Sequence, residues 1–94
     1  MKIRQSPDFL KKLKGLNVRL RKCFKKSILI FSKNPLDSRL DNHLLCDEWE
    51  GYRSINVGDP KNDWRAVYEE VIEDNESIAR FVAIGTHKEL FQDE

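Results

Sequence analysis

Asp63-Trp64-Arg65-Ala66-Val67-Tyr68-Glu69-Glu70-Val71-Ile72 decides the fold. It is rich in aromatic and branched residues, and Glu73-Asp74-Asn75-Glu76 closes it with turn formers, so it reads as a strand. A similar run lies on each side. Tyr52-Arg53-Ser54-Ile55-Asn56-Val57 precedes it across Gly58-Asp59-Pro60-Lys61-Asn62, a five-residue turn cluster, and Ser77 to Gly85 follows. Connections this short imply an antiparallel meander. Period-two geometry puts Tyr52, Ser54 and Asn56 on one face and Arg53, Ile55 and Val57 on the other. In the deciding strand Arg65 shares a side with Asp63 and Val67, opposite Trp64, Ala66 and Tyr68.

Further outward, the N-terminal third is helical. Met1 to Gln5 reads as a short strand with Ile3 inward, and Ser6-Pro7-Asp8 supplies a cap, a proline at the first helical position and an acid in the first turn. Phe9, Leu10, Leu13 and Leu16 recur at helical spacing, and Gly15-Leu16-Asn17 ends that helix. A second begins near Val18, with Leu20, Cys23, Phe24, Ile28 and Phe31 as its apolar stripe, and stops at Asn34-Pro35. From Leu36 to Glu48 no period is visible, and a packed loop with leucine anchors is expected. Helices early and strands late give an α+β class: a helical hairpin packed on one face of a mainly antiparallel sheet, the other face at least partly open.

Ninety-four residues suit one small domain with one core. Charged residues at 35% and apolar residues at 39% describe a globular chain, and no apolar run reaches membrane-span length. The basic start is followed by Gln5-Ser6-Pro7-Asp8 where a secretory signal needs apolar residues, so a cytoplasmic location is expected. Cys23 and Cys46 are expected as reduced thiols. Residues 1–33 carry eleven Lys/Arg against Asp8 alone, net +10, while residues 34–94 carry net −9. That asymmetry fits either an anionic partner for the helices or a solvated basic back.

The last strand runs through Phe81-Val82-Ala83-Ile84 into Gly85-Thr86-His87 and, four residues on, Phe91. A strand end delivering a histidine and an aromatic ring to one sheet edge offers proton transfer and base contact; it also fits a surface His and a core-filling Phe. Arg65 and Arg53 could grip a phosphate or pair across strands with Asp63 or Glu69. His43 sits in the long loop. His43-x-x-Cys46 is half a zinc site without a second ligand pair, and no phosphate-cradling glycine loop or nucleophile elbow is present, so no metal or cofactor is expected.

Asn42-His43-Leu44-Leu45, Trp49-Glu50-Gly51-Tyr52-Arg53, Asp63-Trp64-Arg65-Ala66-Val67-Tyr68 and Gly85-Thr86-His87-Lys88-Glu89-Leu90-Phe91, in this order, resemble the RelE/StbE superfamily of toxin–antitoxin toxins, nearest its YafQ-like branch. The resemblance implies a β-α-α-β-β-β toxin domain over residues 1–94. It also implies a ribosome-dependent mRNA interferase, an endoribonuclease using 2′-hydroxyl attack on the adjacent phosphate without a metal. The partners implied are a cognate antitoxin, mRNA and the ribosome, with DNA reached only through the antitoxin. Carried over by position, His87, His43 and Asp63 would be acid, base or positioning groups, and Arg65 matches an active-site arginine of the RelE branch. Phe91 would contact a base. Apart from the resemblance, Arg53, Asn56 and Trp64 are further candidate substrate-binding residues. Where the YafQ-like pattern has a histidine in the Tyr-Arg strand, this chain has Asn56, which cannot exchange a proton at neutral pH. Two other readings follow: a RelE-like protein that binds an antitoxin or RNA without efficient cleavage, and an RNA-binding module acting through its basic helices.

Overall fold

Both helix starts are fixed by side chains that the chain places at the cap. In the computed structural model, which describes residues 1–58 and 63–91, Ser6 Oγ accepts the Phe9 N–H (3.1 Å) at the head of α1, Pro7–Lys14. Asn17 Oδ1 accepts the Leu20 N–H (2.9 Å) at the head of α2, Val18–Lys33. Each cap satisfies an N–H with no partner inside its helix. Beyond Lys33 the backbone turns extended at Asn34 (φ −155°, ψ 100°), as the residue before Pro35 must.

Five strands form one mixed sheet: β1 Lys2–Gln5, β2 His43–Leu44, β3 Tyr52–Asn56, β4 Trp64–Glu73 and β5 Glu76–Thr86. Their order is β1-β5-β4-β3-β2, with β1 parallel to β5 and the other pairs antiparallel. A short helix α3, His87–Leu90, ends the described chain. The β4–β5 hairpin turns on Asp74 (φ 50°) and Asn75 (φ 64°), two residue types that accept the left-handed region a two-residue hairpin needs. The register shifts between Val67 and Tyr68, which pair with Ala83 and Phe81, so Val82 is the extra residue of a bulge.

The hairpin α1–α2 covers one face. Phe81 is its hub, fully buried, with ring centroids 5.1 to 5.8 Å from Tyr68, Phe31, Phe9 and Phe24. Ile55, Val57, Ala66, Ala79 and Ile84 complete this core from the strands. Ser27, absent from the expected stripe, is also buried, because its Oγ accepts the Gly58 N–H at 2.6 Å. No helix of the described residues is long and apolar enough to cross a membrane.

One expectation needs correction. The segment after Pro35 is not a loop anchored throughout by leucines: Leu36 and Leu44 are exposed, only Leu40 is buried, and His43–Leu44 pairs with β3. The second sheet face, expected to be partly open, is closed at its centre, where Ser54, Asn56, Arg65 and Val67 are all buried. A Cβ on Gly85 would meet Glu89 Cβ at 3.4 Å and Leu90 Cγ at 3.5 Å, so α3 folds back onto that face. Trp49 Nε1 donates to Leu90 O (3.0 Å) and ties the 3-10 turn Asp47–Trp49 beside it. The expected turn at residues 59–62 lies outside the described residues.

Candidate active site

Register decides which candidate residues share a surface. His43 pairs with Ser54, Ser54 with Val67, and Val67 with Ala83, while Asn56 pairs with Arg65 and Arg65 with Gly85. Directly paired residues point to the same side, so His43, Asn56 and Arg65 all lie on the face away from α1 and α2. Trp64 and Arg53 lie on the helix side: Trp64 packs against the core, and Arg53 Nε donates to Asn42 Oδ1 (2.9 Å). Asn42 Nδ2 in turn donates to Tyr68 Oη and to Pro35 O, both at 2.9 Å, so Arg53 belongs to a network that pins the segment after α2.

Where β4 begins and β5 ends, the His87 N–H donates to Asp63 O (3.0 Å), holding together two residues far apart in the chain. Thr86 caps α3 through a reciprocal box in which Thr86 Oγ1 accepts the Glu89 N–H (3.2 Å) and Glu89 Oε1 accepts the Thr86 N–H (2.9 Å). That backbone donor, with the Thr86 hydroxyl and Lys12, holds the Glu89 carboxyl below its ordinary range. His87 is therefore presented at the first position of a fixed turn. The Phe91 ring lies edge-on to the imidazole, centroids 4.9 Å apart.

Arg65 is buried although it carries a charge, and burial lowers its pKa. All five guanidinium N–H groups are used. Nε donates to Ser54 Oγ (2.9 Å); Nη1 donates to Asn56 Oδ1 (2.6 Å) and Asp41 Oδ2 (3.2 Å); Nη2 donates to Asp41 O (2.7 Å) and Ser54 O (3.1 Å). A guanidinium so committed has no donor left for a phosphate. Asn56 occupies its second hand as well, with Nδ2 3.4 Å from Arg39 O. Asp41, which the sequence reading did not single out, organises this corner from a left-handed backbone (φ 46°, ψ 49°). Its only sequence signal is the Asp-Asn pair after Leu40, a turn former of the ordinary kind.

His43 is half exposed, and its Nδ1 lies 3.0 Å from Asp41 O. A carbonyl only accepts, so Nδ1 carries the proton in the neutral ring and Nε2 is the basic nitrogen. Three strand spacings separate β2 from β5, about 14 Å at roughly 4.8 Å each. His43 on β2 and the end of β5 that leads into His87 therefore lie on opposite sides of β3 and β4. Beside α3 the same side carries a groove lined by Trp49, Tyr52, Arg80 and Val82 with Ser6, Pro7 and Asp8 from the head of α1. Tyr52 is held above its usual pKa by the Glu69 carboxylate that accepts from its hydroxyl. Among the described residues no group of three or more His, Cys, Asp or Glu gathers as metal ligands.

The two-helix hairpin on a mixed five-stranded sheet, with a capped turn at the end of β5, is shared with solved structures of bacterial toxins. The crystal structure of YafQ from E. coli strain BL21(DE3) is similar with a TM-score of 0.71 and 30% identity, over 96% of this chain and 97% of that one. A YoeB/ParE toxin from Agrobacterium tumefaciens shares the fold (TM-score 0.70, 16% identity, 93% of this chain and 99% of that one). YafQ in the E. coli DinJ–YafQ complex matches with a TM-score of 0.59 and 29% identity, over 96% and 97% of the two chains. No curated protein sequence matches. The family described as "Bacterial toxin of type II toxin-antitoxin system, YafQ" matches residues 1–92, and the chain belongs to it.

Proposed function

We propose that this chain is a type II toxin that cleaves mRNA on the ribosome and is neutralised by a cognate antitoxin. The observation that carries the proposal is the junction where β4 begins and β5 ends, where a backbone bond joins His87 to Asp63 and the Phe91 ring lies against the His87 imidazole. Relatives crystallised as a DinJ–YafQ complex support an antitoxin partner.

In the proposed reaction a ribose 2′-hydroxyl loses its proton to a base and attacks the adjacent phosphorus. The P–O5′ bond breaks, the leaving 5′-oxygen takes a proton from an acid, and a 2′,3′-cyclic phosphate remains. His87 and His43 stand on opposite sides of the face and supply the two proton-transfer roles, with His43 acting through Nε2. Asp63 positions or assists His87, and Phe91 offers a ring edge to a base. The basic backs of α1 and α2 add salt-sensitive attraction to RNA. Arg65 enters as folded without a free donor, so phosphate charge must be met elsewhere, by exposed Lys88 next to His87 on α3 or by Arg80 in the groove, which is 3.7 Å from Glu69.

Induced expression in a bacterial host arrests growth on this reading, and His87→Ala relieves the arrest while remaining folded. Full toxicity of that variant would remove His87 from the mechanism. One observation favours a second reading: Asn56 stands where the resembling family has a histidine and is spent on Arg65. A protein that binds antitoxin tightly yet produces no new mRNA ends on expression would establish that alternative.

A further inference from the structure

We infer that Arg65 is a positioning residue for His43, acting through Asp41, and not a group that touches RNA; the catalytic part of this inference rests on the function proposed above. The carbonyl of Asp41 accepts from Arg65 Nη2 at 2.7 Å and from His43 Nδ1 at 3.0 Å. One oxygen thus links a buried cation to an exposed imidazole.

Asp41 does not hold this position by itself. Its left-handed backbone is one that Asp tolerates, and besides the local Asp41 N–H to Ser38 O bond, contacts from outside the turn fix it. Arg65 supplies two of them, to the carbonyl and to the carboxylate Oδ2 at 3.2 Å. Arg65 is itself immobilised from below by Ser54 and Asn56, both on β3, so the rigid centre of the sheet reaches the mobile-length side chain of His43 through a single amino acid. Asn56 also holds Arg39 O, at the far side of the same 3-10 turn, Ser38–Leu40. The polarity of the link matters chemically. Because the acceptor is a carbonyl, which cannot donate, His43 is kept as the Nδ1–H tautomer, and Nε2 is left with its lone pair. The charged groups facing His43 are Asp41, whose Oδ2 is 3.9 Å from Nδ1, and behind it Arg65.

The test uses the full chain with 15N-labelled histidine, assigning the two rings with His87→Gln. Long-range 1H–15N correlations at about pH 8, where an ordinary histidine is neutral, read the tautomer directly. Wild type is expected to show His43 as Nδ1–H. Arg65→Lys keeps the charge but loses the planar fork, and the Nε2–H form should gain population. RNA cleavage should then fall on the order of 10- to 100-fold in kcat, the usual cost of removing a group that orients a working histidine, with KM little changed. Should Arg65→Lys fail to fold, Asp41→Ala removes the carboxylate that Arg65 holds and disfavours the left-handed backbone that presents the carbonyl, and should shift the tautomer in the same direction. An Nε2–H wild-type ring, an unshifted tautomer in a folded variant, or a KM rise at constant kcat would each overturn the inference. The tautomer is read without any substrate, so a chain that does not cleave RNA would sink the proposed function and leave this result standing.

Discussion

Replacing Asn56 by the histidine that the resembling family carries is the change most apt to be tried as a repair, and the structure predicts that it damages. Asn56 is 8% exposed, and its Oδ1 takes one Nη1 proton of Arg65 at 2.6 Å. A neutral imidazole offers one acceptor nitrogen, so near pH 8 the main cost is a larger ring in a closed site, about 1–3 kcal/mol. Near pH 5 an imidazolium has no acceptor; the Arg65 proton is left without a partner, which adds about 1–3 kcal/mol, and two cations face one another. The folded-state pKa of the new histidine is thus depressed, the unfolded chain binds more protons, and stability falls as pH drops through about 6.5. Urea unfolding measures both values. With a slope of about 1 kcal/mol per molar urea, the midpoint moves down by about 1–3 M at pH 8 and further at pH 5, against a total of about 5–10 kcal/mol. Cleavage should not rise. Equal stability at both pH values together with faster RNA cleavage would refute the view that Asn56 is a brace for Arg65.

Three further perturbations test the frame. Phe81→Ala empties the site shared by four rings and should cost about 3–5 kcal/mol in urea unfolding; a loss below about 1 kcal/mol would mean that the helices are not seated on β5. Gly51 and Gly58 both have positive φ, 89° and 82°, but a Cβ on Gly51 meets nothing within 4 Å, whereas one on Gly58 meets Cys23 Cβ at 2.7 Å and Cα at 3.3 Å. Gly58→Ala should therefore be the more destabilising by about 1–3 kcal/mol, and equal unfolding midpoints would deny the close approach of α2 to β3. The Glu89 side-chain carbon, followed by NMR against pH, should titrate below a model-peptide glutamate; what its charge adds to the fold is present above about pH 4.3 and lost as pH falls through the lowered value. An ordinary midpoint would show the cap of α3 to be open in solution.

Local chemistry made much of this frame readable from the chain. Ser6-Pro7 and Asn17 announce both helix starts, Asn34-Pro35 the stop, and Asp74-Asn75 the hairpin, because each signal is satisfied within a few residues. β2 has only two residues, too few to show a period, and exists through its pairing with β3. α3 was legible in principle: Thr86-His87-Lys88-Glu89 is a capping-box pattern, hidden by being taken as the end of a strand. The site divides in the same way. β5 leads the chain to His87, but it is α3, not a strand, that carries His87 and brings Phe91 against it. The commitment of Arg65 was not legible, since its five donors are matched by Asp41, Ser54 and Asn56 from two other segments, and no spacing encodes that convergence. The sides of Trp64 and Arg53 relative to Arg65 were given by alternation, but which side faced the helices depended on packing.

The chemistry of the new RNA ends tests the central claim most directly. With purified chain, ribosomes and a defined mRNA, attack by the 2′-hydroxyl leaves a 2′,3′-cyclic phosphate upstream and a 5′-hydroxyl downstream, and both products should disappear with His87→Ala. Products bearing a 3′-hydroxyl and a 5′-phosphate, or cyclic-phosphate ends undiminished in His87→Ala, would contradict the account.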